Sequence, residues 1–166
     1  ILVIIILASI LTFMNYRSMK TSLIESAQHK MIADLQISYE YLDQKFPGEW
    51  RIENGELYKG DVRMNKNFAI VDEIGELSGG NVITIFAGDT RVATSVETED
   101  GQRAIGTKID DDVKKVVIDQ KQRYVGRADV IGEPYQTVYD PIFDESNNGY
   151  VLLGSIIYWI RVTVQP

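Results

Sequence analysis

The chain has no cysteine and a single histidine, His29, among 166 residues. Disulfides and thiolate metal sites are therefore excluded, and the missing thiols are compatible with any redox compartment. Without a second imidazole, a metal role for His29 is unsupported, and it is assigned none. A nucleophile elbow, a phosphate loop and metal-ligand spacing are also missing, so no cofactor is expected and catalysis has little to stand on. Lys and Arg form no cluster, and the net charge is −7. This disfavours nucleic acid, whose phosphates would be repelled, and general adhesion to anionic lipid. Long apolar runs are scarce too. The one exception is Ile1 to Met14, which is almost unbroken.

As a helix that run would span about 21 Å, short of the roughly 30 Å hydrocarbon core of a bilayer. It reads as the outer part of a transmembrane helix, residues 1–15, whose first residues and cytoplasmic flank lie upstream. A signal-peptide core would need a small-residue cleavage site, and Asn15-Tyr-Arg-Ser-Met-Lys20 is a poor one. Arg17 and Lys20 would sit on the outer side, mildly against the usual charge bias. With 45% hydrophobic residues, the remainder suits one domain with its own core, residues 16–160, and a short tail, 161–166.

Between Thr21 and Phe46 there is neither Gly nor Pro, and Ile24, Met31, Leu35 and Leu42 form a narrow apolar stripe. That pattern predicts a helix able to cover a sheet and to meet a twin helix in a homodimer. Pro47-Gly48 stops it. Trp50 to Tyr58 then predicts a hairpin about Asn54-Gly55, the pair most suited to a type I′ turn. A second helix fits Asn67 to Leu77, with Ile70, Ile74 and Leu77 on one face, ending at Gly79-Gly80.

The central feature is Val82 to Val96, two β-branched runs about Ala87-Gly88-Asp89-Thr90. With those four residues as the loop, Phe86 lies opposite Arg91, Ile85 opposite Val92 and Thr84 opposite Ala93. One face then carries Ile83, Ile85, Val92 and Thr94 as packing surface. The other carries Thr84, Phe86, Arg91, Ala93 and Ser95, where an Arg among hydroxyls and a ring could hold a carboxylate in bidentate fashion.

Further on, Glu97 to Gln102 reads as an exposed connection, and Asp110 as the N-cap of a helix carrying Val113, Val116 and Val117. Asp110-Asp-Asp112 is explained by the helix dipole without any ion. Strands are predicted over Arg123–Ile131, Glu133–Phe143 and Tyr150–Ile160. Asp144 to Gly149 is a turn between the last two, since a calcium loop would need a bidentate Glu where Ser155 stands. Together with the two hairpins these strands are expected to form a meander. The long helix should cover one face, and the shorter helices and loops the other.

Several segments occur in the order shown by a known family. Gly48-Glu-Trp50 and Asn54-Gly-Glu-Leu-Tyr-Lys-Gly60 come first, then Thr84-Ile-Phe86 and Gly88-Asp-Thr-Arg-Val-Ala-Thr94. Arg103-Ala-Ile-Gly-Thr107, Tyr124-Val-Gly-Arg-Ala128 and Tyr135 through Ile142 follow. From about Gly48 to about Gly154 the chain closely resembles the single Cache sensor domains of bacterial methyl-accepting chemotaxis receptors. Ser155 to Pro166 departs from that resemblance. It lacks the family's closing Val-Gly and does not run on into the second transmembrane helix.

The resemblance implies an α+β, PAS-like fold: a long N-terminal helix on a central antiparallel sheet of about five to six strands, with short helices on the other face. It also implies an extracytoplasmic domain at the cell membrane whose ligand is a small organic acid such as acetate, propionate or pyruvate. The expected site is Arg91 as anion anchor, Thr84 as hydroxyl donor, and Phe86, Tyr124 and Tyr139 as walls or phenolic donors. Thr94 matches a motif but faces away in the register assumed above. The same sensor could sit on a histidine kinase or a diguanylate cyclase, while a membrane-tethered enzyme using Asp89 and Asp140 is the least supported alternative.

Overall fold

The computed structural model describes residues 1–143 and 150–157. Helix α1 runs without a break from Leu2 to Lys45, about 66 Å at 1.5 Å per residue. Its first turns are exposed throughout, from Leu2 to Met14. By length and composition alone, helix α1 could cross a membrane. Only the far end of α1 packs. Met31, Leu35, Ser38 and Leu42 are buried, Ile24 is half-buried and His29 is exposed. Each fully covered Leu or Met contributes roughly 1.5–3 kcal/mol.

After α1, strands β1 (Trp50–Glu53) and β2 (Glu56–Lys59) form the expected hairpin. Both of its turn residues have positive φ, 52° at Asn54 and 79° at Gly55, as a type I′ turn requires. This hairpin does not join the central sheet. With β3 (Val62–Arg63) it makes a separate three-stranded sheet. Lys59, 4% exposed, bonds to the Gly48 carbonyl and pairs with Asp43 of α1 at 2.6 Å. Those contacts tie the small sheet to the helix.

Helix α2 (Phe68–Leu77) leads into β4 (Val82–Ala87) and β5 (Thr90–Thr94). Ile70, Val71 and Ile74 of α2 join the same core as Met31, Leu35, Ile83 and Ile85. The shorter helix therefore shares the face covered by α1, and its Leu77 is exposed. The opposite face is covered by residues 97–122, which include α3 (Asp111–Lys114) and a π-helical turn (Lys115–Asp119). Asp110 caps α3 as expected, accepting hydrogen bonds from the Asp112 and Val113 amides.

Strands β6 (Tyr124–Val130), β7 (Glu133–Phe143) and β8 (Tyr150–Ile157) complete an antiparallel five-stranded sheet. Its order is β5-β4-β8-β7-β6, so the strands do not form a meander. The last strand lies in the middle, paired with β4 on one side and β7 on the other. A central strand has both of its backbone edges satisfied, which is what an apolar stretch such as Val151-Leu-Leu-Gly-Ser-Ile-Ile157 favours. The expected turn at 144–149 and the extension of the last strand to Ile160 lie outside the described residues.

Candidate functional site

Hairpin β4–β5 turns through Gly88-Asp89, and only Gly88 has positive φ, 60°, the pattern of a type II′ turn. Beyond the turn Phe86 pairs with Arg91 as expected, but Ile85 pairs with Ala93 and Thr84 with Thr94. Val92 is an extra residue, a β-bulge. Its presence corrects the assumed register. Val92 and Ala93 both face the α1 side. Ser95 follows them, bonding the Ile83 backbone. Thr94 is brought onto the face of Thr84, Phe86 and Arg91.

Directly paired residues share a face, so one row of the sheet can be read across five strands: Thr94, Thr84, Gly154, Tyr139 and Tyr124. The middle position is a glycine. It puts no side chain between the two threonines and the two tyrosines. The next row begins with Arg91 and Phe86, and all six residues singled out in the sequence lie in these two adjacent rows.

Thr84 and Thr94 are fully buried, with their hydroxyls 2.7 Å apart. Thr94 Oγ1 also accepts the Val96 amide at 3.0 Å. Phe86 and Tyr139, 0% and 1% exposed, meet edge to face with ring centroids 5.9 Å apart. Tyr124 tilts against Tyr139 at 6.4 Å. Its hydroxyl donates to the Arg127 carbonyl at 2.5 Å, so this ring is a wall whose proton is already spent. Ile109, Val113 and Val117 close the cluster from the covering segment.

Arg91 is the largest fully buried side chain in the described residues, 2% exposed. Its guanidinium carbon stands 5.1 Å from the centre of the Phe86 ring. Nη1 donates to Thr107 Oγ1. Nε is buried with no hydrogen-bond partner, and among the described residues no carboxylate pairs with the guanidinium. Burial alone holds its pKa below the ordinary value, opposed by the proximity of Tyr139. Burial likewise raises the Tyr139 phenol, which stays neutral.

Thr107 was not among the site residues read from the sequence. Its only signal there was its place at the end of the Arg103–Thr107 motif. The segment that carries it is stitched to the outer edge of β5 by backbone bonds from Ala104 to Val96, Gly106 to Arg91, Arg91 to Thr107 and Ile109 to Asp89.

The two acids of the enzyme alternative have other partners. Asp89 receives Lys108 at 2.6 Å and Lys114 at 3.0 Å. Asp140 lies on the α1 side of the sheet, held by Nε and Nη2 of Arg123 at 2.9 and 2.5 Å. There it borders an open cleft of about 580 Å³ with Tyr39, Asp43, Trp50 and Lys59. Two ion pairs, Arg123–Asp140 and Lys59–Asp43, already occupy charges of that cleft. Among the described residues Arg91 has no such counter-ion, which makes its surroundings the stronger candidate for an anion site.

A family model described as single Cache domain 3 matches residues 62–157. No curated protein and no solved structure matches the chain.

Proposed function

The chain belongs to the single Cache domain 3 family, whose members are extracytoplasmic sensor domains, and on that premise we propose that it senses a small carboxylate for a transmembrane chemoreceptor. Acetate, propionate and pyruvate are the ligands the site suits best. The observation that supports this is the buried charge of Arg91, which has no counter-ion among the described residues. A cation held in a low-dielectric interior without a counter-ion costs several kcal/mol, and a well-bonded carboxylate offsets part of that cost. Phe86, Tyr139 and Tyr124 would limit the size of what hangs from the carboxylate, and Thr84 and Thr94 would line the other end.

In this reading α1 anchors the domain in the membrane and carries the signal. Its packed half is bonded to the sheet and its surroundings at several points, three of them near the ends of β4 and β7. Gln28 meets Gln136, Lys30 meets the Ser78 carbonyl, and Asp34 accepts from Asn81, the residue before β4. A ligand that draws β4–β5 toward the covering segment would be felt at Asn81, and so by α1, because a ligand shifts only the equilibrium for which its affinities differ. Exposed Leu23 and Ile37 would meet a twin helix in a homodimer.

The test is a thermal-shift screen of the full chain in detergent micelles against short carboxylates, amino acids, sugars and amines, with Arg91→Ala in parallel. Ligand at about 100 times its dissociation constant should stabilise the fold by ~2.7 kcal/mol. A shift with a carboxylate that vanishes in Arg91→Ala supports the reading. No shift, or one indifferent to Arg91, overturns it.

A further inference from the structure

The hydroxyl of Thr107 sits at one end of the buried guanidinium, and its own hydrogen bonds are complete. Thr107 Oγ1 has a single proton, donated to the Ala104 carbonyl at 2.8 Å, which leaves its lone pairs for Arg91 Nη1. The two residues are also tied through their backbones. The Arg91 amide donates to the Thr107 carbonyl at 3.0 Å, and the Gly106 amide to the Arg91 carbonyl at 2.8 Å. The Phe86 ring lies against the guanidinium, and Nε is left buried and unpartnered.

From this geometry we propose that Thr107 is a positioning residue, which occupies Nη1 and thereby turns the Nε edge of Arg91 to the ligand. The inference rests on the carboxylate reading above. A carboxylate can bond side-on to Nε and Nη2 as well as end-on to the two Nη atoms. Thr107 takes up one of the two Nη1 protons and fixes the plane of the guanidinium, which favours the first option. Lys108, its neighbour in sequence, and Lys114 spend their ammonium groups on Asp89, so neither is placed to take up the role if Arg91 turns.

The experiment uses the full chain in detergent micelles, as wild type, Thr107→Val and Thr107→Ser. Val keeps the shape and removes the hydroxyl, while Ser restores it. The side-chain Nε–H resonance of Arg91, identified by its loss in Arg91→Lys, is followed by nitrogen NMR without ligand. It should be ordered and protected from exchange in wild type and Thr107→Ser, and averaged and rapidly exchanging in Thr107→Val. Titration with acetate and propionate should then show Thr107→Val weakened by about tenfold or more, which is ~1.4 kcal/mol, with Thr107→Ser within about threefold of wild type.

An Arg91 signal equally ordered in Thr107→Val overturns the proposal. So does an affinity loss that Ser fails to restore, since that would be a packing effect. If wild type binds neither acid while Arg91 loses order in Val and recovers it in Ser, the positioning role stands and the carboxylate reading falls.

Discussion

Thr84 and Thr94 face each other across β4 and β5 with their hydroxyls 2.7 Å apart, a pairing that exists because Val92 is one residue too many in its strand. Without the bulge Thr94 would point into the α1 core and Ala93 would stand beside Thr84. One inserted residue changes which side chains line the site, because the side-chain period of a strand is two.

That pair should be measurable by unfolding in urea. Thr84→Val leaves the Thr94 hydroxyl in a buried setting with one partner fewer and should cost about 1–3 kcal/mol. The double substitution Thr84→Val/Thr94→Val should cost less than the sum of the singles. Strict additivity would mean that the two hydroxyls do not interact.

For Arg91 stability and binding should separate. Arg91→Met keeps an unbranched chain against Phe86 and removes a buried charge that has no counter-ion among the described residues. The ligand-free protein is expected to be unchanged or more stable by about 1–3 kcal/mol, with the carboxylate-induced shift lost. Calorimetry with and without propionate checks both halves. Strong destabilisation of the ligand-free variant would show that Arg91 is chiefly structural.

Asp89 links the loop tip to the covering segment, and hydrogen bonds from Lys108 first and then Lys114 hold its carboxyl well below the usual carboxylate range. A depressed folded-state pKa means stability present above the unfolded pKa of about 3.9 and lost as pH falls toward the folded value. The site is partly exposed, so Asp89→Asn should cost only about 0.5–1 kcal/mol at pH 7. Thermal unfolding of both proteins from pH 7 downward should show the gap closing below about pH 4, and added salt should narrow it at pH 7. A gap constant with pH would mean that the ion pairs contribute nothing.

The small sheet depends on a close approach at Gly60. Its φ is +56°, and a Cβ there would stand 2.3 Å from the Pro47 carbonyl oxygen. Gly55, φ +79°, has open space around it. Gly55→Ala should therefore cost about 1 kcal/mol from backbone strain alone, and Gly60→Ala distinctly more. Equal costs in chemical denaturation would argue against the close contact.

Much of the fold was legible before any coordinates. The Asn54-Gly55 turn, the Asp110 cap, the helix stop at Pro47-Gly48 and the three late strands rest on signals within a few residues of each other, and each lies where the pattern put it within the described residues. The six residues singled out in the sequence as a candidate site also come together in the fold. They share one face because alternation along a strand is a local rule, except at the bulge.

What the chain could not announce was non-local. The sequence by itself determined the Asn54-Gly55 turn, the Asp110 cap, the long helix and the motifs that carry the family. Tertiary structure decided that β8 inserts between β4 and β7, that α2 joins α1 on one face, and that the first hairpin stands apart from the central sheet. It also decided that Val92 is a bulge, that Thr107 grips Arg91, and that Lys108 and Lys114 turn to Asp89. The physical reason is common to all of them. Turn and cap preferences are settled by the backbone geometry of neighbouring residues. Strand order, register slips and the partner of a buried charge depend on which distant segment reaches the same place first and leaves the fewest polar groups unsatisfied.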